Sequence, residues 1–305
     1  MVTEPNAHAN WPPLVLDEWE PTYLTVHRFT QVLGKLCLGY APPQNHWWHS
    51  ALAVTSRGLT TQGLTDGARM FSVTLDFCRH RLEVHCSDGA GGEFPLEGLS
   101  VADFWTATLE TLAGLGIRPE LNPVPAEVAD RTPLNEDRKH AAYDRGAITR
   151  LHRILVLVDN VFRIHRGGFL GKSSPVHFFW GAFDLAVSRF CGTRNPQPPQ
   201  DPMMAAAYSH EVISHGFWPG GDWPGSARVP EAVFYAYVVP AAQGLESASV
   251  VPSSARFDAA LGEFILPYEE VRKSAAPRAA LLQFMETTYR AAATLRGWDT
   301  ALLER

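Results

Sequence analysis

The sequence has no CxxC pair. Cys37, Cys78, Cys86 and Cys191 are scattered along 305 residues, which argues against a zinc ribbon and against a disulfide framework. No window approaches the ~18 uninterrupted apolar residues that a membrane-spanning helix needs. The first stretch, MVTEPNAHANWPPLVLDEWEPTY, is broken by prolines and acids where a signal peptide would carry a basic start and an apolar run. Positive charge is in deficit. Lys plus Arg number 26 against 32 Asp plus Glu, a net of -6, so the chain offers no basic footprint for a nucleic-acid backbone. GxGxxG spacing, the P-loop Lys-Ser/Thr and GxSxG are all missing, which removes a phosphate cradle and a serine nucleophile elbow. These absences predict a soluble, cytoplasmic protein with reduced thiols and with neither nucleic acid nor membrane as partner.

What is present is enough apolar material, 46% of the residues, to bury a full core without disulfides or metals. Apolar positions Leu24, Phe29, Val32, Leu33 and Leu36 recur at helical spacing and predict a helix over 21–40. Residues 51–56 and 70–86 alternate and are β-branched, with turn chemistry at Arg57-Gly58 and Ser87-Asp88-Gly89, and predict an antiparallel meander. Ser100 caps an amphipathic helix over 101–117, with Asp103 in its first turn. Residues 118–140 have the Pro-rich, charged composition of a connector. A second long helix follows over 147–166.

The halves resemble each other. PQNHWWHSALAVTSRG (43–58) parallels PVHFFWGAFDLAVSRF (175–190), TLDFCRHRLEVH (74–85) parallels ARFDAALGEFIL (255–266), and the helix 101–117 parallels 280–298. Order is preserved, which points to duplication. The expected fold is therefore α+β: two diverged helix–antiparallel-strands–helix repeats packed about a pseudo-twofold axis. The N-terminal repeat with its lead and linker covers 1–130. The C-terminal repeat covers 131–305 and carries an inserted aromatic and histidine loop region at about 191–231.

Twelve histidines, several beside aromatics, suggest acid/base or metal chemistry. His46 and His49 would converge from a loop; the alternative is one core and one surface histidine. Asp184 lies in an apolar run with Arg189 as its nearest partner by composition, either as a structural pair or as a fork that orients a histidine or a substrate carboxylate. His210-Glu211 opens a near-match to HExxH that fails because Ser214 stands where the second histidine belongs. His210 and Glu211 remain a base with its neighbour, or ligands joined by His46 and His177; loop hydrogen bonding is the alternative. Trp218 and Trp223 suit a lid over an apolar site.

Together WPPLVLDEW, APPQNHWWH, SPVHFFWGAFDLAVSRF, YSHEVISHGFWPG, FYAYVVP and GEFILPYEEVR resemble the bacterial family called domain of unknown function 5996, over nearly the whole chain. The resemblance implies a single full-length family unit and carries no reaction with it. It also implies that His46, His177, His210, Glu211, Asp184 and Arg189, which fall in the family's signature segments, share a pocket.

The resulting expectation is a small-molecule enzyme with a histidine-rich cleft between the repeats, walled by Trp47, Trp48, Phe179 and Trp218. His46, His49, His177 and His210 would act as ligands of a transition metal such as iron, copper or zinc, in oxidative or hydrolytic chemistry, with Glu211, Asp184 and Arg189 in support. A cofactor-free acid/base enzyme needs only the titratable groups. A non-catalytic small-ligand binder, or a homo-oligomer using tryptophans at an interface, are the readings from other classes.

Overall fold

Leu16–Tyr40 forms the first helix, α1, in the computed structural model, which describes residues 11–222 and 228–305. From Thr22 to Cys37 nearly every residue of α1 is buried, so this helix lies inside the molecule rather than on it. A helix buried all round must satisfy its polar side chains internally, and α1 does. His27 Nε2 donates to the carbonyls of Gly181 (2.8 Å) and Trp180 (3.1 Å). Gln31 clasps the backbone of Ala126 in both directions, at 2.7 and 2.8 Å, and Lys35 donates to Val124 O at 2.7 Å. Arg28 meets the Asp137 carboxylate at 3.0 Å. Gly34 is the close-approach point on α1. A Cβ there would stand 2.1 Å from the Trp180 ring, so only glycine lets that indole lie against the helix.

Two antiparallel sheets flank this arrangement, and the fold is α+β. The first comprises β1 (Ala53–Val54), β2 (Gly58–Thr60), β3 (Leu64–Asp66), β4 (Arg69–Asp76), β5 (Arg81–Cys86) and β6 (Gly91–Pro95), in the order β1-β2-β4-β5-β6, with β3 also paired to β4. It packs with α1 and with α2 (Val101–Gly114), which starts at the predicted cap: Ser100 and Asp103 form a reciprocal capping box. Phe29 of α1 stacks on Phe104 of α2 with ring centroids 3.9 Å apart; burial of each such ring contributes about 1.5–3 kcal/mol.

Helix α3 (Arg145–Gly167) opens the second half, close to the predicted span. The second sheet comprises β7 (Lys172–Ser173), β8 (His177–Phe179), β9 (Asp184–Arg194), β10 (His210–Trp218), β11 (Val233–Val239), β12 (Arg256–Asp258) and β13 (Glu263–Pro267). Its order is β12-β13-β11-β10-β9-β7, with β8 also on β9. A short helix, α4 (Pro202–Ala207), joins β9 to β10; α5 (Tyr268–Lys273), α6 (Pro277–Leu295) and α7 (Thr300–Leu303) close the chain. The back face of this sheet packs on α3 and α6. An antiparallel bridge, Leu52 to Phe178, links the sheets through hydrogen bonds of 2.8 and 2.9 Å.

Two expectations are corrected here. The region 191–231 is not an inserted loop: β9 runs on to Arg194, and β10 is a central strand between β9 and β11. Its alternating HEVISHGFW is buried on both faces, which is why its polar residues look unusual for a strand. The segment 118–140 lacks helix and strand but is no free connector, because Arg28, Gln31 and Lys35 of α1 hold it. Trp223 lies outside the described residues.

Candidate active site on the front face of the second sheet

The register separates two faces of the second sheet. Ser214 sits opposite Ser188 and Tyr237, and Gly216 opposite Ala186 and Tyr235; with Asp184 these side chains share the front face, away from α3 and α6. Asp184 begins β9 after a tight turn in which Phe183 has φ 62. It pairs with Phe179 of β8 and is 7% exposed. Its carboxylate accepts a hydrogen bond from the Tyr235 hydroxyl. That contact crosses a strand, since Tyr235 is on β11, Asp184 on β9, and Gly216 of β10 lies between. A Cβ on Gly216 would stand 2.0 Å from Tyr235 Cζ, so the glycine is what lets the ring lie across its own sheet.

Other polar groups line the same face. Tyr237 and Tyr208 share a hydroxyl contact of 3.0 Å, and Ser188 and Ser214 another of 3.0 Å. Tyr208, Ser188, Tyr235 and Tyr237 are half-buried, so water still reaches this face. Burial pushes the Asp184 carboxyl up to about 7, against the lowering effect of Tyr235 and with a further push from Glu127. Burial, then the charges of Asp184 and Asp258, raise Glu263 to about 7 as well. Glu127 has a left-handed backbone (φ 55) and faces solvent with part of its surface, while its carboxylate tucks against Gly181, where loss of water raises its pKa. Asp184 and Glu263, each raised to about 7 and acting on one another, titrate as a pair.

The histidines gather at the β7 end of this face. His46 and Trp47 are consecutive left-handed residues, φ 57 and 61, in a 3-10 turn over Asn45–Ser50; such backbone costs about 1–3 kcal/mol per residue and collects at functional sites. His46 Nδ1 donates to Ala207 O at 2.9 Å, leaving Nε2 to accept from Lys172 Nζ at 2.9 Å. Its ring lies 4.4 Å from Phe190, 5.0 Å from Trp48 and 6.0 Å from His210. His177 is 2% exposed, 5.9 Å from Trp48 and 5.7 Å from Phe179, and among the described residues neither ring nitrogen has a hydrogen-bond partner.

The rest of the expected set is elsewhere. Arg189 stands at an odd separation from Asp184 on one strand and points to the back face, so the Asp184–Arg189 pair does not form. Its guanidinium lies over Tyr289 and Phe169 and donates to His165 O. Glu211, next to His210, also faces back; Arg296 forks it and Trp298 Nε1 donates to it at 3.0 Å, beside a cavity of about 310 Å³. His49 accepts from Gln44 N at 3.2 Å and packs on Trp47, away from the cleft. Trp218 bonds to Tyr23 of α1, at the Asp184 end of the face. Among the described residues no group of three or more His, Cys, Asp or Glu side chains is placed to hold a metal ion, so His46, His49, His177 and His210 do not fit as a ligand set.

Sequence reasoning passed over Tyr208, Tyr235, Tyr237, Glu263, Glu127 and Lys172. A signal existed for two of them: FYAYVV alternates with both tyrosines on one face, and a glycine inside a neighbouring strand marks close approach.

The buried groups also set the response to acid. Burial holds His27 and His177 down to about 4 and His215 to about 3, and holds His165 well below its ordinary value. Each binds its proton in the unfolded chain near 6.5 and only far lower when folded, so their contribution to stability is lost as pH falls from about 6.5 toward 4. Asp184 and Glu263 act oppositely in that window, because the folded state holds their protons up to about 7. Four histidines outweigh two carboxyls. Unfolding should therefore take up roughly two protons near pH 5.5, weakening the fold by about 2–3 kcal/mol per pH unit. Urea unfolding between pH 5 and 6.5 reads that slope, and a flat or inverted profile would contradict the assignment of these histidines as neutral.

No curated protein and no solved structure matches this chain. Among the described residues no helix is long and apolar enough to cross a membrane. A profile described as Family of unknown function (DUF5996) matches residues 11–305, and the chain belongs to that family.

Proposed function

We propose that the protein is a small-molecule enzyme of the acid/base kind, with the front face of the second sheet as its cleft and Asp184 as the group that moves the proton. The observation that carries this reading is the Asp184–Tyr235 contact across Gly216. A carboxyl raised to about 7 sits where a group both gives and takes protons efficiently in neutral solution. Tyr235, whose own ionisation burial suppresses, stays a donor and steadies the carboxylate once the proton leaves. Glu263, also near 7, is the second titrating group that returns the proton in an isomerisation or activates water in a hydrolysis. Phe179, Tyr208 and Tyr237 supply the apolar and aromatic walls.

A non-catalytic ligand binder is the competing reading, supported by those same walls. The titration of Asp184 separates the two, since a binder has no use for a carboxyl poised at neutrality. Carbon-13 NMR on protein labelled at aspartate carboxyls should show a resonance titrating near 7 that vanishes in Asp184→Asn. Tyr235→Phe should move it upward, because the hydroxyl's hydrogen bond favours the ionised form. A wild-type resonance already ionised at pH 5 would remove the proposal's foundation.

We also infer that the halves arose by duplication. A long helix, an antiparallel hairpin and a closing helix recur in order as α1, β4–β5, α2 and as α3, β12–β13, α6. This supports a cleft shared between two related units.

A further inference from the structure

Lys172 begins β7 opposite Phe190, which puts it on the front face at the histidine end. Its ammonium has an unusual setting. Nζ is 2.9 Å from His46 Nε2, 5.3 Å from the Trp48 ring and 5.6 Å from Phe190, and among the described residues no carboxylate lies within ion-pair distance of it. Because His46 Nδ1 is committed to Ala207 O, Nε2 absorbs one of the three ammonium donors and the other two are open. His210 stands 6.0 Å from His46, its Nδ1 3.1 Å from Ser209 Oγ. His177, 2% exposed and, among the described residues, without a partner for either ring nitrogen, packs near the same Trp48 ring that Lys172 approaches. These donors gather around an ammonium, and a consecutive left-handed pair (His46 and Trp47) holds the His46 imidazole in place. The buried imidazole of His177 is costly unless something completes it.

We propose that Lys172, with His46, His177 and His210, forms a subsite for an oxyanion, the carboxylate or phosphate group of a small molecule bound along the front face. Lys172 acts as a point charge rather than a bidentate fork, His46 Nε2 holds the ammonium in place, and His177 and His210 contribute N–H donors. The anion-binding property stands without the acid/base reading; only the further step, that the anion belongs to the molecule whose proton Asp184 moves, rests on that reading.

Calorimetric titration with inorganic phosphate and, separately, with acetate tests it on the full chain. Wild type should bind at least one of the two saturably. Lys172→Met should weaken that binding at least about tenfold, whereas Lys172→Arg, which keeps the charge, should stay within a few fold. Lys172 is exposed, so neither substitution at that position threatens the fold, and matching thermal midpoints confirm that. Absence of saturable binding by both anions, or binding that survives in Lys172→Met, overturns the subsite. Anion binding with an unperturbed Asp184 carboxyl would instead sustain the subsite and sink the acid/base reading.

Discussion

Asp184→Asn should make the protein more stable at pH 8 while removing the proposed acid/base activity. The folded carboxyl titrates near 7 and the unfolded one near 3.8, so the protonated group's contribution to stability is complete below the unfolded value and is lost as pH rises through the folded one. At pH 8 the wild type bears the full swing, about 4 kcal/mol. Asparagine does not titrate, and its carbonyl can still accept from Tyr235, while its unpaired amide N–H costs about 1–2 kcal/mol. The variant should therefore gain about 2–3 kcal/mol at pH 8 and lose that advantage by pH 5. Turnover on any substrate found should fall by about 100- to 10,000-fold. Opposite movements of stability and activity are what a strained functional group produces. Urea unfolding at the two pH values decides the matter, and a variant less stable at both would mark Asp184 as an ordinary structural acceptor.

The second large effect lies away from the cleft. Asp137 is 1% exposed, and its carboxylate meets Arg28 Nε at 3.0 Å, His140 Nδ1 at 2.7 Å, and the backbone N–H groups of Lys139 and His140 at 3.1 Å. Arg28 is 2% exposed, and its other carboxylate partner, Asp130, is 4.0 Å away. Asp137→Ala leaves a buried guanidinium without its main counter-charge, a change that costs about 3–5 kcal/mol. Arg28→Met together with Asp137→Ala should recover part of that loss, since the stranded charge is gone. Thermal and urea unfolding of the single and double variants measure both. A single-variant cost under about 1 kcal/mol would show that Arg28 finds another partner.

Much of the fold was legible where one rule acted alone. The periodicity of 21–40 and 147–166, the Ser100 cap with Asp103, and the alternation of 70–86 each yielded an element close to the observed one. The middle of the second sheet was not legible in the same way. HEVISHGFW mixes charge, imidazole and glycine, which reads as a loop, and only its position between two strands makes such a composition a buried strand. The site split for a related reason. His210 with Glu211, and Asp184 with Arg189, are neighbours by composition, but the two-residue period of a strand sends each pair to opposite faces of one sheet. Lys172, Glu127 and Glu263 belong to the site only through contacts with residues distant in sequence, such as Lys172 with His46, 126 positions away, and no local pattern reports those.

The clasps that α1 makes have a kinetic meaning. Gln31 reaches a residue 95 positions away, and His27 one 154 positions away; through them the turn before Asp184 and the segment carrying Glu127 are brought to one place. Contacts at such separations carry loop-closure costs that short-range helices and hairpins do not. The two sheets can begin to form from local hairpins, β4 with β5 and β12 with β13, before α1 has met either client. The second sheet alone carries Asp184, Gly216 and Tyr235, but Glu127 joins them only once α1 has closed these long contacts.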